Sequence, residues 1–245
     1  MSEYKCIPIC GPFNLGEAPH WQHRNGSLYF VDAWAGDVCK FHESSKQLER
    51  KHIGGCVTII IPREENEDKF IVSKGQELLQ FEWSTGITKS ITFVEQDSPT
   101  HFNDGKCDRN GRLWIGTMGF ETSPAVVTPD LGSLYCINKD YTVKRCVKNV
   151  SLSNGIAWSA DNKLLYFADS AKRKVYVFDY HSSEGDVSNQ RVFVDYEKQC
   201  KIGENPDGIT VDTSGKVWVA NWDGERVIRV DPETAQIISE VTIDN

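Results

Sequence analysis

The sequence predicts an all-β chain folded as a β-propeller. Three observations point there. A short aromatic, β-branched run recurs with starts at Leu28, Lys69, Leu113, Leu164 and Val217, at intervals of 41 to 53 residues. Each run is followed by a turn and a second β-prone run. No segment sustains an apolar i, i+3, i+4, i+7 pattern, so long helices are not expected. Repeats of about 40 to 50 residues with three or four strands each are the signature of propeller blades.

The first strand in each pair reads Leu28-Tyr-Phe-Val-Asp, Lys69-Phe-Ile-Val-Ser, Leu113-Trp-Ile-Gly-Thr, Leu164-Leu-Tyr-Phe-Ala-Asp and Val217-Trp-Val-Ala-Asn. Its partner reads Val38-Cys-Lys-Phe, Leu78-Leu-Gln-Phe-Glu-Trp, Ser133-Leu-Tyr-Cys-Ile, Lys174-Val-Tyr-Val-Phe and Arg226-Val-Ile-Arg-Val. Ser90-Ile-Thr-Phe-Val and Arg191-Val-Phe-Val supply a third strand in two of the units. β-Branched and aromatic residues suit a pleated, half-buried surface. Hairpin turn pairs separate the runs at Asn25-Gly26, Asn110-Gly111, Asp161-Asn162, Ser214-Gly215 and Asp223-Gly224. A solenoid repeat is usually shorter, and a β-sandwich would leave the recurring interval unexplained.

A length of 245 residues suffices for a sizeable core, and the expected organisation is one propeller domain over 1–245. The chain is 39% apolar and 25% charged, with a net charge of −8. An acidic surface of this kind disfavours nucleic acid and anionic membranes as partners. The N-terminal stretch has no long apolar core and no run approaches a bilayer span, so a cytoplasmic location and no membrane association are expected. The eight cysteines are scattered without a Cys-x-x-Cys pair, which suits buried reduced thiols rather than a disulfide framework or a zinc site.

A second regularity lies upstream of the aromatic runs. Glu17-Ala-Pro-His-Trp, Asp104-Gly-Lys-Cys-Asp, Asn154-Gly-Ile-Ala-Trp and Asp207-Gly-Ile-Thr-Val precede four of the five, while Gly54-Gly-Cys-Val-Thr has no acidic residue there. Any one Asp-Gly or Asn-Gly pair marks a tight turn and nothing more. Four at one repeat position are expected to converge near the mouth of the central channel. Carboxylates brought together repel unless a cation sits between them, and carboxylate with amide oxygen suits Ca²⁺, Mg²⁺ or Mn²⁺ and is tolerated by Zn²⁺. Asp108, Asp161 and Asp212 lie in the turns before the strands and are expected to be turn formers.

These residues also carry a resemblance. Gly16-Glu-Ala-Pro-His-Trp, Phe102-Asn-Asp-Gly-Lys-Cys-Asp with Gly116-Thr-Met, Ser153-Asn-Gly-Ile-Ala-Trp with Leu165-Tyr-Phe-Ala-Asp-Ser, and Pro206-Asp-Gly-Ile-Thr-Val-Asp with Gly215-Lys-Val-Trp-Val-Ala resemble the senescence-marker-protein/gluconolactonase/luciferin-regenerating-enzyme family, regucalcin-like and closest to its insect members. The resemblance spans essentially the whole chain. It implies a six-bladed propeller with one divalent metal ion on the axis, Ca²⁺, Zn²⁺, Mn²⁺ or Mg²⁺. It places the metal ligands at Glu17, Asn154 and Asp207. Substrate contacts fall on Asn103, Glu121 and the position before Phe102, which is Arg in the family's lactonases and His101 here. A neutral imidazole cannot give the bidentate grip of a guanidinium, and an exposed loop residue is the plainer alternative for His101.

Only five strand-rich units are visible where the family has six, so the closing C-terminal blade is expected to be incomplete. The implied reaction is hydrolysis of a sugar lactone, a small-molecule substrate, by a monomer. Asp207 would serve as general base and ligand, with Asp104 in support through hydrogen bonds to ligands or bound water. Residues 120–130, with Pro124 and Pro129, would form a loop over the site. A calcium-binding regulatory protein without turnover, a luciferin-regenerating type of hydrolase with a non-sugar substrate, and a protein-interaction propeller remain the alternatives.

Overall fold

A computed structural model describes residues 6–121 and 126–243. The described residues form twenty strands and one four-residue helix, arranged as five four-stranded antiparallel sheets whose strands follow one another in sequence order. Such meanders are propeller blades, and the all-β propeller class expected from the five repeats is what the chain adopts. Two compact units can be distinguished, Pro8–Phe102 and Asn103–Asn245 with the segment Met1–Ile7.

The first unit holds two blades. One comprises β1 (Gly16–Gln22), β2 (Ser27–Asp32), β3 (Asp37–His42) and β4 (Leu48–His52). The other comprises β5 (Ile60–Arg63), β6 (Asn66–Lys74), β7 (Glu77–Glu82) and β8 (Thr88–Phe93). Tyr29, Val31, Val38, Phe70, Val72, Phe81 and Trp83 pack into one buried cluster between them. Tyr29 and Trp83 meet edge to face at 5.9 Å, a geometry that adds to the area buried. Burial of each such side chain contributes about 1.5–3 kcal/mol.

The second unit holds three. β9 (Thr100–Cys107) crosses from one unit to the other at Phe102/Asn103 and pairs with β10 (Leu113–Gly119), followed by β11 (Gly132–Ile137) and β12 (Val143–Val150). The next blade is β13 (Ser153–Trp158), β14 (Leu164–Asp169), β15 (Lys174–His181) and β16 (Asp186–Asp195), closed by α1 (Tyr196–Gln199). The last is β17 (Asn205–Val211), β18 (Val217–Trp222), β19 (Arg226–Val230) and β20 (Ile237–Thr242). Two clusters fill the space between these sheets, one around Trp114, Leu134, Phe167 and Phe178, the other around Tyr166, Val194, Tyr196, Val219 and Ile228.

The turn pairs read from the sequence act as expected. Gly26, Gly111, Asn162, Gly215 and Asp223 all take positive φ. At Gly111, with φ +75°, any side chain would be strained, because the left-handed region brings Cβ against the following carbonyl. The turn formers Asp108, Asp161 and Asp212 are also where they were placed. Asp108 does more: its carboxylate accepts from Arg112 Nε at 2.7 Å, Tyr180 Oη at 2.7 Å and the Trp114 indole at 3.2 Å. Asp212 repeats the pattern with the Trp218 indole and Arg229. Burial alone would raise the Asp108 pKa, but these donors and the Arg112 N–H hold it below the ordinary carboxylate value.

The last residue of each aromatic run is polar and buried: Asp32, Ser73, Thr117, Asp169 and Asn221. Asp32 accepts from the N–H groups of Asn14 and Leu15, Ser73 from those of Thr58 and Ile59, and Asp169 from those of Ser151 and Leu152. The chain entering each of these blades thus finds partners for N–H groups that burial would otherwise leave unsatisfied.

All eight cysteines are free thiols. Only Cys39 and Cys136 are buried, whereas Cys6 and Cys107 are exposed, so most of the thiols are not the buried residues expected. No helix among the described residues is long and apolar enough to cross a membrane.

Candidate metal centre

The first strands β13 and β17 share a local irregularity. Between Ser153 and Ile156 three steps along β13 oppose two along β14, Asp169 to Phe167. Between Pro206 and Ile209 three steps along β17 oppose two along β18, Asn221 to Val219. Each is a β-bulge, and the residues left unpaired are Asn154-Gly155 and Asp207-Gly208. A bulge bends the strand and re-aims a side chain out of the regular alternation. In the first unit, β1 carries the same irregularity between Glu17 and His20, where Ala18 takes φ +50°. Three of the four positions singled out by the repeat therefore sit in or beside a bulge.

In the second unit the bulges draw side chains together. A Cβ on Gly155 would lie 2.3 Å from Ile209 N and 2.4 Å from Asp207 O, so only glycine lets β13 approach β17 this closely. A short chain of hydrogen bonds follows. Asn103 Nδ2 donates to Ser153 O at 2.7 Å, Asn154 Nδ2 to Ser170 Oγ at 3.1 Å, and Ser170 Oγ to Pro206 O at 2.6 Å. The Asn154 amide also donates to the Asp207 carboxylate. With its NH₂ group engaged by Ser170 and Asp207, Asn154 keeps its carbonyl oxygen as the atom to offer a cation.

Asp207 is pushed up to about 6 from 3.8, by burial first and by the neighbouring Asp104 second, against the opposing pull of the Asn154 amide and the Gly208 N–H. Burial likewise raises Asp104, opposed by Lys106 and by the Gly105 N–H, which donates to Asp104 Oδ1 at 2.7 Å. Two desolvated carboxylates repelling each other beside an amide oxygen are a hard-ligand set short of positive charge. In the second unit, then, Asn103, Asp104, Asn154 and Asp207 come together, and the donor chemistry fits a divalent cation. Among the described residues no three His, Cys, Asp or Glu side chains cluster to hold a metal.

The remaining candidates are placed as follows. In the first unit, Glu17 is half-buried at its bulge. His101 is not an exposed loop residue. It lies on β9 with only 9% of its surface exposed, and its Nδ1 lies 2.7 Å from Phe102 O. In the second unit, Glu121 is exposed just beyond β10. Of the expected loop over the site, residues 122–125 lie outside the described residues.

Two participants were missed in the sequence. Ser170 follows the polar end of its aromatic run, and nothing in its own spacing marks it. Lys106 lies two residues beyond Asp104, and its Nζ donates to Ile209 O at 2.7 Å. Nothing in its own spacing marks Lys106 either, since its contact is a backbone carbonyl that it meets only in the fold.

The match to the family model "SMP-30/Gluconolactonase/LRE-like region" covers residues 15–244. Regucalcin of Sus scrofa is 38% identical over 231 residues, 94% of this chain and 76% of that protein. The solved structure of a luciferin-regenerating enzyme superimposes with a TM-score of 0.90 at 34% identity, over 96% of this chain and 78% of that one. A gluconolactonase of Xanthomonas campestris shares the fold, with a TM-score of 0.76 at 18% identity over 94% of this chain and 76% of that one. With the family model matching nearly its whole length, the chain belongs to the SMP-30/gluconolactonase/LRE-like family.

Proposed function

We propose that this chain hydrolyses sugar lactones to the open-chain acids with one divalent cation held by Glu17, Asn154 and Asp207. The observation that carries the reading is Asp207, hydrogen-bonded to Asn154 and pushed up to about 6 by burial and by Asp104. Membership of a family whose description includes gluconolactonase supports the reaction class. Glu17 enters through its repeat position and the family resemblance.

A bound divalent cation would supply Lewis acidity toward the lactone carbonyl or toward the attacking water. The chain's own residues do the rest. Asp207 accepts the proton of the attacking water; the water oxygen joins the carbonyl carbon, the ring C–O bond breaks, and the proton is returned to the departing ring oxygen as a hydroxyl. Burial and Asp104, which push Asp207 up to about 6 in the metal-free chain, raise its proton affinity and so oppose the lowering that a bound cation would bring. Asn103, its amide fixed on Ser153 O, orients substrate through its carbonyl oxygen. His101 and Glu121 contact sugar hydroxyls, and Asp104 supports the site electrostatically.

His101 in place of the family arginine favours a second reading, hydrolysis of a less anionic, non-sugar substrate of the luciferin-regenerating type. One experiment separates the readings. Metal-free protein is assayed on glucono-δ-lactone with Ca²⁺, Zn²⁺, Mn²⁺ or Mg²⁺ added singly. Turnover with at least one ion supports the lactonase. Ion binding without turnover of glucono-δ-lactone would overturn it: turnover of a non-sugar ester by the same protein then supports the second reading, and turnover of neither supports a calcium-binding regulatory role.

A further inference from the structure

We infer that Ser170 is a positioning residue that fixes which end of the Asn154 amide faces the cation. The inference rests on the function proposed above, in which Asn154 is a ligand. Ser170 follows β14 directly and is 2% exposed. Its backbone is held at both ends: its N–H donates to Leu152 O at 3.0 Å, and its carbonyl accepts from the Arg173 N–H at 2.9 Å. Its hydroxyl stands between two strands that carry candidate ligands. On the β17 side it meets Pro206 O at 2.6 Å, one residue before Asp207. On the β13 side it meets the Asn154 amide at 3.1 Å. A backbone carbonyl only accepts, so the one hydroxyl proton is committed to Pro206 O. Toward Asn154 the Ser170 oxygen then only accepts, and the amide must turn its NH₂ group to it. The polarity of the Pro206 carbonyl thus passes through one hydroxyl to the amide, and leaves oxygen rather than nitrogen for a cation.

The same logic accounts for an amide rather than a carboxylate at this position. A carboxylate at 154 would set an anionic oxygen against the lone pairs of Ser170 Oγ, unless the hydroxyl left Pro206 O and stranded that carbonyl. Asn103 reaches the same end without a relay, because its Nδ2 donates directly to Ser153 O at 2.7 Å. Asp207 also draws the Asn154 NH₂ group in the metal-free chain, but a carboxylate engaged by a cation gives up part of that hold, and Ser170 keeps its own. Ser170 acts only through Asn154. Partners that orient a metal ligand from behind in this way are worth about 10- to 100-fold in metal affinity.

The test is a double-mutant cycle of Ser170→Ala and Asn154→Asp in the full chain, read by calorimetric titration. The titrant is calcium, or the tightest-binding of Zn²⁺, Mn²⁺ and Mg²⁺ where calcium does not bind. Ser170→Ala alone is expected to weaken ion binding about tenfold or more. Ser170→Thr, which keeps the hydroxyl, should recover affinity to within about threefold of the parent. Asn154→Asp removes the amide that needs orienting, so adding Ser170→Ala to it should change affinity by less than about threefold. A Ser170 that merely ties β17 down through Pro206 O would lose the same factor in both backgrounds, and that result overturns the inference. Parent-like binding by Ser170→Ala, or an equal loss in folded Ser170→Thr, overturns it too. An Asn154→Asp chain that binds no ion does the same, because an aspartate oxygen would face the cation as the asparagine oxygen does. If Ser170→Ala melts early or loses its β signal, Ser170→Cys, similar in size with a weakly hydrogen-bonding thiol, replaces it in the cycle with the same expected factors. Failure of the cycle in a chain that binds the ion leaves the proposed function standing. No binding of any of the four ions by the parent chain overturns both.

Discussion

Lowering the pH from 7 to 5 should weaken calcium binding about tenfold. The cation requires Asp207 as a carboxylate, and in the metal-free protein that group titrates at about 6 rather than 3.8. With a pKa near 6, the ionised fraction is about nine-tenths at pH 7 and about one-tenth at pH 5, and apparent affinity follows that fraction. An aspartate at its ordinary value would be ionised at both pH values, and affinity would barely change. Calorimetric titration at half-unit steps, in two buffers of different ionisation enthalpy, reads affinity and proton release together. About half a proton should leave per calcium bound at pH 6, and very little at pH 7.5. Affinity constant within twofold from pH 7 to pH 5, with no proton release at pH 6, would refute the burial of Asp207 beside Asp104 from which the shift arises. The same shift has a sign for stability. Because the folded-state pKa is raised, the group's stabilising contribution is complete below pH 4 and is lost as pH rises through 6, by at most about 3 kcal/mol. Metal-free protein should therefore lose melting temperature over that window from this group, and calcium at pH 7 should restore it.

Asp207→Asn should abolish lactone turnover, whereas Asp161→Asn, in a turn where the carboxylate only accepts from Ser159 and Lys163, should keep it within about twofold and cost less than about 1 kcal/mol in urea unfolding. Gly155→Ala should push β13 from β17, since the new Cβ would meet backbone at 2.3 Å; calcium affinity should fall more than tenfold together with a loss of about 2–3 kcal/mol of stability. Arg112→Met strands the buried Asp108 carboxylate without its 2.7 Å ion-pair partner and should cost about 3–5 kcal/mol by urea unfolding, with calcium affinity per folded molecule unchanged.

The blade count was legible because each aromatic run buries at least one whole face, which writes the repeat into side-chain type. Trp114, Phe167 and Val219 are core residues and were visible as such in the bare sequence. The positions of Asn154 and Asp207 were legible for a different reason: each precedes a glycine in the one-letter pattern, and at Gly155 that glycine is a packing requirement, since a Cβ there would lie 2.3 Å from Ile209 N. The bulges themselves were not legible. Asp-Gly and Asn-Gly read equally well as tight turns, and the extra residue is apparent only once Ser153 is seen opposite Asp169 and Ile156 opposite Phe167. The loop alternative for His101 falls because strand pairing and burial, not the local sequence, decide its setting. Ser170 and Lys106 were invisible because their roles depend on carbonyl oxygens, Pro206 O and Ile209 O, and every residue carries a carbonyl.

Asp104 and Asp207 each precede a glycine, yet they do not occupy one repeat position. Counted back from the turn, Asn154 and Asp207 stand five residues before Ser159 and Asp212, whose N–H groups close the turns onto Leu164 O and Lys216 O. Asp104 stands only four before Asp108, whose N–H closes onto Arg112 O, and it is Asn103 that stands five before it. The spacing therefore aligns Asn103, not Asp104, with Asn154 and Asp207, and places two amides and one carboxylate at equivalent points of three consecutive first strands. A single full charge there avoids the repulsion that three carboxylates would create in a metal-free chain. Asp104, one step further along, accepts from the Gly105 N–H at 2.7 Å. If Asn103 is a ligand equivalent of Asn154, Asn103→Asp should add a second carboxylate beside Asp207, raise the Asp207 pKa further in the metal-free protein, and move the pH midpoint of calcium binding upward from about 6. A midpoint unchanged by Asn103→Asp would return Asp104 to the repeat position and make Asn103 a substrate contact alone.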